Sequence, residues 1–369
     1  MIRPAPAIEA IEPMTPFIGP EQLMRETGRP SLVRLGANES AFGTSPRAVA
    51  AMAAQLDHLW WYGDPESYEL REALARKHGV RVEELLVTAG IDDVMGLVVR
   101  AFVAPGGAAL TTRGSYPTFN YHVHGYGGRL VFARYRPDGR LDLDELAATA
   151  TRERASVIYL ANPDNPSGTF VEKGEMQRFF DAIPRDVVLM LDEAYADFVD
   201  EDRLLPVTLE DRLIRTRTFS KAYGLAGARI GYAIGTERVL GILQKIRLQY
   251  GVNRNAQIGA LASLGDEPFR RSVVEAVAQA REAYYALARE MGLGYIESLT
   301  NFVCIDLGDA ARATAVMNEL LARHGVWIRK PGLPPLDRFV RVTAGTEPMR
   351  AAFAEAFRDV VAAVPSVVA

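Results

Sequence analysis

Cysteine is nearly absent: Cys304 is the only one in 369 residues. A single thiol excludes an intrachain disulfide and any metal site built from clustered cysteines. It fits a reducing compartment, with the cytoplasm as the default. Histidine is also scarce, at five residues. His122 and His124 form one close pair whose spacing suits a metal on a strand, but no third ligand is evident, so a structural or solvated role is expected. No apolar run approaches the roughly 18 residues of a membrane-spanning helix. Residues 1–10 carry one arginine and no apolar stretch of secretion-signal length. Charge of one sign is lacking too: 42 Lys and Arg face 46 Asp and Glu, for a net charge of −4. With no basic block and no basic stripe interleaved with aromatics, a nucleic-acid partner is not expected.

What is present is an ordinary globular composition, 49% hydrophobic and 24% charged, long enough for one large domain and a smaller one. Residues 1–45 read as a Pro- and Gly-rich arm with a short helix near 21–27 and a strand from Val33 ending in a polar turn at Asn38-Glu39. Ser45 and Pro46 open a helix, and Ser67 opens another beyond the aromatic loop of Trp60, Trp61 and Tyr62. Strands and helices then alternate. Runs such as 156–161 and 187–191 are apolar on both faces, which indicates a mostly parallel sheet covered by helices on either side. From residue 237 the chain turns helical, and a long helix from 268 to about 291 leads into a small α+β unit. The expected division is an arm that also forms part of the small domain at 1–45, a large domain at 46–265 and the rest of the small domain at 266–369.

In such sheets ligands bind at the carboxyl ends of the strands. Four polar segments sit there: Ala89-Gly90-Ile91-Asp92, the turn Asn-Pro-Asp-Asn-Pro-Ser-Gly at 162–168, Asp192-Glu193-Ala194-Tyr195, and residues 217–231 around Ser220-Lys221. Lys221 lies between two apolar strands, with Thr218, Ser220 and Arg229 as an anion site beside it. An ammonium is costly to bury, so such a lysine is paired or neutral, and a neutral amine attacks carbonyls. A solvated loop with an ordinary surface lysine is the other reading of that stretch alone. The turn at 162–168 is a good turn in any protein, and Asp192 could simply end a strand.

Taken together and in this order, the motifs at 162–168, 192–195 and 220–229 resemble the fold-type I pyridoxal-phosphate aminotransferases, and among them the histidinol-phosphate aminotransferase group. The resemblance runs from Asn38-Glu39 to Gly345-Thr346. It implies an α/β fold, with a large domain whose mostly parallel sheet lies between helices, plus the small α+β domain. It also implies pyridoxal 5'-phosphate as cofactor. Lys221 would bind the cofactor as a Schiff base and then carry the proton. Asp192 would face the pyridine nitrogen, and Tyr195 and Asn165 the 3′ oxygen. Gly90 and Ile91, at a helix N-terminus, would hold the phosphate with Thr218, Ser220 and Arg229. Phe119 would stack on the ring, and Tyr62 would reach the phosphate of a second subunit, which requires a homodimer. Arg341 and Arg329 match anion-binding arginines, and Asn38 and Phe17 fall where relatives line the substrate pocket. Phe119 and Phe17 stand where many relatives have tyrosine, and Gln249 to Asn253 departs from the group's usual loop. The implied partners are an amine donor and a 2-oxo acid acceptor, histidinol phosphate and 2-oxoglutarate first. An aromatic amino-acid donor is the alternative, and a threonine-phosphate decarboxylase-like lyase is the alternative of another class.

Overall fold

The computed structural model describes residues 2–9, 11 and 18–365. Its strands, in chain order, are β1 (Val33–Arg34), β2 (Leu85–Thr88), β3 (Ala108–Thr112), β4 (Arg129–Ala133), β5 (Val157–Ala161), β6 (Val188–Asp192), β7 (Leu213–Thr218), β8 (Gly231–Ile234), β9 (Tyr295–Ile296), β10 (Phe302–Asp306), β11 (Val326–Trp327) and β12 (Phe339–Thr343). Seven of them form one sheet in the order β2-β8-β7-β6-β5-β3-β4. All its pairings are parallel except those of β8, which runs antiparallel to both neighbours.

The unbroken apolar strands follow from burial on both faces. Ile158 and Leu160 point to one side, where the helices Leu143–Glu153 and Lys173–Ala182 supply Leu146, Phe179 and Phe180. Val157, Tyr159 and Ala161 point to the other, against Val94 and Val98 of the helix Ile91–Phe102 and Phe119 and Val123 of the helix Thr118–Gly125. Side chains alternate at period two, so each strand serves two cores. A three-stranded antiparallel sheet, β12-β10-β9, packs with the helices Ala310–His324 and Glu347–Ala363 around a third core. β1 pairs in parallel with β11, which ties the arm to this C-terminal unit.

Local structure departs from the sequence pattern in a few places. Ser45 caps its helix, its side chain accepting from the Ala48 N–H at 3.3 Å. Ser67 does not cap: its backbone is left-handed (φ 46°), and Asp64 accepts the Tyr68 N–H instead at 2.7 Å. The helix that opens at Glu237 ends at Gln244. The strand at Val326 stops at Trp327, although Arg329 still bridges to Arg341. The short strand β9 carries no pattern long enough to read. Gly224, with φ +68°, must be glycine, because a Cβ there would lie 1.9 Å from the carbonyl oxygen of Gly43. Thr44 Oγ1 donates to the Gly224 carbonyl at 2.6 Å, so the arm is anchored on the loop that carries Lys221.

Among the described residues no helix is long and apolar enough to cross a membrane. Among them, too, no three His, Cys, Asp or Glu side chains come together as metal ligands.

Candidate active site

The carboxyl ends of β5, β6 and β7 lie side by side: Ala161 is level with Asp192, and Asp192 with Thr216. Thr218 in turn is paired with Gly231 of β8, so the loop 219–230 is the connection between antiparallel neighbours. These ends, the arm and β12 enclose a cleft of about 940 Å³ lined by Asn38, Asn165, Asp192, Tyr195, Lys221 and Arg341, among others.

Lys221 is half-buried with its ammonium end enclosed. Nζ donates to the Asn38 carbonyl at 2.9 Å and lies 5.5 Å from the Tyr195 ring centre. Burial, aided by the charge of Arg341, pulls its pKa down to about 8. The amine therefore has an appreciable neutral fraction near physiological pH. Asn301 Nδ2 donates to the same Asn38 carbonyl at 3.0 Å, which holds the acceptor in place. Nothing in the local sequence marked Asn301, because its partner is more than 260 residues away.

Asp192 closes β6. Its Oδ2 accepts from the Tyr159 hydroxyl at 2.7 Å and its Oδ1 from the Ala194 N–H at 3.0 Å. Among the described residues no cation forms an ion pair with it. Burial raises its pKa to about 6, against the pull of Tyr159 and Ala194. The next residue, Glu193, is locked differently. Burial works against its charge, but Arg215 and Arg217 overcome this and keep its pKa low, with Arg215 Nη2 at 2.6 Å and Arg217 Nε at 2.9 Å. This buried trio pins the turn that presents Asp192 and Tyr195.

Two donors face the cleft ready for an oxygen. Asn165 Oδ1 accepts from Arg341 Nη1 at 2.7 Å, which leaves its Nδ2 hydrogens free. The Tyr195 oxygen accepts from Asn38 Nδ2 at 3.1 Å, which leaves its own hydrogen to donate. Burial holds the Tyr195 pKa up at about 12, so it keeps that proton.

An anion cradle lies at the start of the helix Ile91–Phe102, where Gly90 has φ +94°. A Cβ on Gly90 would come within 2.7 Å of Arg229 Nη2, so guanidinium and backbone N–H groups converge there. Arg229 also contacts Asp92 Oδ2 at 3.4 Å. Thr218 Oγ1 donates to Ser220 Oγ at 3.0 Å, which leaves the Ser220 hydrogen for a ligand.

Arg341, on β12, stands 5.1 Å over the Phe302 ring. Nη1 and Nη2 donate to Asn165 and to the Gly36 carbonyl, while Nε is buried with no partner among the described residues. Burial lowers its pKa, and it in turn depresses that of Arg329, already lowered by burial. Two guanidiniums in one cleft suit an anionic ligand. Arg329 Nη2 donates to the Ile18 carbonyl at 3.0 Å.

Two residues read from the sequence stand elsewhere. Phe119 does not line the cleft: it is fully buried and stacks on Tyr159, with centroids 5.1 Å apart and planes at 18°. The reason is helical geometry. Phe119 and Val123 share the face turned to the sheet, so Tyr116 and Asn120 occupy the cleft side. Tyr62 is also outside the cleft, 76% exposed and stacked on Tyr250 at 4.4 Å. Phe17 lies outside the described residues. Tyr159 and Tyr116 were missed because neither belongs to a motif.

The arrangement fits a flat, phosphorylated carbonyl compound whose ring carries a basic nitrogen and an oxygen substituent. Asp192 offers an unpaired buried carboxylate, Asn165 and Tyr195 two free donors, the cradle a phosphate site and Lys221 an amine.

Comparison with known proteins agrees with this reading. The family model described as "Aminotransferase class I and II" matches residues 30–357. A curated histidinol-phosphate aminotransferase 2 of Carboxydothermus hydrogenoformans is 34% identical over 354 residues, covering 94% of this chain and 96% of that one. A histidinol-phosphate aminotransferase of Geobacillus thermodenitrificans is 35% identical over 346 residues, covering 92% and 93%. Among solved structures, a histidinol-phosphate aminotransferase of Sinorhizobium meliloti in complex with pyridoxal-5'-phosphate superposes with a TM-score of 0.95 at 39% identity, covering 99% of both chains.

Proposed function

The chain belongs to the class I and II aminotransferases, and from that premise we propose that it moves the amino group of L-histidinol phosphate to 2-oxoglutarate with pyridoxal 5'-phosphate as its cofactor. The observation that carries the reading is the meeting in one cleft of an enclosed Lys221, its pKa drawn down to about 8, with an Arg341 whose buried Nε has no partner among the described residues. When bound, the cofactor supplies a carbonyl that takes up amine nitrogen and a ring that draws electrons from the donor's Cα.

The protein does the rest. Lys221 would hold the cofactor through its amine and, when free of it, would carry the proton at the donor Cα. Asp192 holds the pyridine nitrogen protonated. Asn165 Nδ2 and Tyr195 Oη donate to the 3′ oxygen. Gly90, Ile91, Thr218, Ser220 and Arg229 hold the phosphate. Arg341 and Arg329 hold the phosphate of the donor or the carboxylate of the acceptor, and Asn38 shapes the pocket beside them.

A homodimer is part of the proposal. Leu59, Trp60, Tyr62, Leu248 and Tyr250 are all more than half exposed, and apolar side chains gathered so densely support a covered face. Tyr62 would then reach the partner subunit's cofactor phosphate. We read residues 46–265 as the cofactor-binding domain and 266–369 as the small domain, with the arm joined to the latter through β1 and β11. We place the enzyme in the cytoplasm, which suits a lone, buried cysteine.

The test is a panel of amines offered to the loaded enzyme without acceptor, read as conversion of bound cofactor to its amine form. Histidinol phosphate should convert it fastest. Conversion by phenylalanine or tyrosine but not by histidinol phosphate would replace the donor. Release of CO₂ from threonine phosphate would make the enzyme a lyase. Separately, Gly90→Ala should loosen the phosphate cradle, because the new Cβ collides with Arg229 in a left-handed backbone. A cost of about 1–3 kcal/mol in melting stability is expected, together with weaker cofactor binding by titration.

A further inference from the structure

Phe119 and Tyr159 have no role in the chemistry proposed above, yet both are aromatic and buried, Tyr159 touches Asp192 and Phe119 stacks on Tyr159. Tyr159 is the diagonal neighbour of Asp192 across β5 and β6: Tyr159 is level with Met190, and Ala161 with Asp192. Diagonal neighbours on one sheet face are within reach of a tyrosine side chain. Its hydroxyl is the one side-chain donor to Asp192 among the described residues, at 2.7 Å. Tyr159 is 1% exposed and Phe119 not at all, and their stacked rings leave the hydroxyl no alternative direction.

Resting on the cofactor reading, we propose that Tyr159 is a positioning residue that keeps Asp192 ionised and aimed at the cofactor's ring nitrogen, and that Phe119 fixes Tyr159 for this task. A buried carboxylate tends to take up a proton, and a protonated Asp192 cannot hold one on the ring nitrogen. Two hydrogen bonds oppose that tendency, one from backbone and one from Tyr159. The backbone bond is fixed by the fold; the bond from Tyr159 is the one a substitution can remove. Other charges face Asp192 as well: Lys221 favours its ionised form, and Asp92 from the helix Ile91–Phe102 opposes it. Tyr116, Asp164 and Tyr195 also face the pair, from the loops that follow β3, β5 and β6. Burial and the Asp192 charge push the Tyr159 pKa far up, so it remains a donor at every working pH.

Tyr159→Phe removes one oxygen and keeps the stack. Phe119→Leu keeps the oxygen and removes the stack. The readouts are the rate at which loaded protein releases cofactor into excess trap, the pH at which retention fails on the acid side, and the melting temperature of cofactor-free protein. For Tyr159→Phe, release should be about ten-fold faster, since a hydrogen bond to a charged group is lost. The acid limb should move up by about one pH unit. Phe119→Leu should shift both in the same direction by less, and it keeps the proposal testable if Tyr159→Phe folds poorly. Release and acid limb unchanged in Tyr159→Phe would overturn the proposal. So would a loss that tracks the melting temperature alone, larger in Phe119→Leu than in Tyr159→Phe. Wild-type protein that takes up no cofactor would instead overturn the cofactor reading, and this proposal with it.

Discussion

Lys221→Ala protein is expected to lose nitrogen transfer by at least about 10⁴-fold, because one side chain supplies both the nucleophile and the proton carrier. The same substitution should not destabilise the cofactor-free fold. The pKa of Lys221 falls from 10.5 to about 8 on folding, chiefly through burial. Between those values the unfolded chain binds more protons than the folded one, so this group's contribution to stability rises with pH from 8 to 10.5. Below pH 8 the folded state carries the whole cost of the enclosed ammonium. Removing the amine at neutral pH relieves that cost, so Lys221→Ala should melt no lower than wild type. A clear drop in melting temperature, or a surviving rate, would count against the role of Lys221. The pH sign has a kinetic counterpart: cofactor uptake should accelerate as pH rises through 8 and the amine becomes neutral.

Arg341→Leu should lower kcat/KM for the phosphorylated donor by on the order of 10²–10³-fold, the value of two charge-assisted hydrogen bonds to an anion. Arg341→Lys should recover only part of this, since a lysine keeps the charge but not the fork. The loaded protein should still absorb in the visible in both variants, because Lys221 remains and Arg341 hydrogen-bonds Asn165 rather than the lysine. Donor kinetics unchanged in Arg341→Leu would move the anion site elsewhere in the cleft, with Arg329 the next candidate.

The sequence exposed the parts of this site that depend on local pattern. Continuous apolar strands revealed a sheet buried on both faces, and polar segments just beyond β5, β6 and β7 had only one place to go. What escaped it depends on contacts between distant segments or on the direction of a side chain. Phe119 occupies the motif position of a ring-stacking aromatic, but four residues later Val123 shares its helix face, and both turn to the core. Tyr159 looks like one more apolar-strand residue until β6 places Asp192 diagonally opposite. Asn301 holds the carbonyl that accepts Lys221, across a separation no pattern reports. Ser67 has the residue type of a helix cap, yet its backbone is left-handed and its side chain makes no cap bond, and Asp64 accepts the Tyr68 N–H instead.

The most direct test reduces the cofactor-loaded enzyme with borohydride, before and after adding L-histidinol phosphate without acceptor, and maps the adduct by peptide mass spectrometry. Before the donor is added, the adduct should sit on the peptide carrying Lys221; afterwards that peptide should be unmodified, its amine released. An adduct on any other lysine, or one on Lys221 that the donor leaves undiminished, would contradict the account.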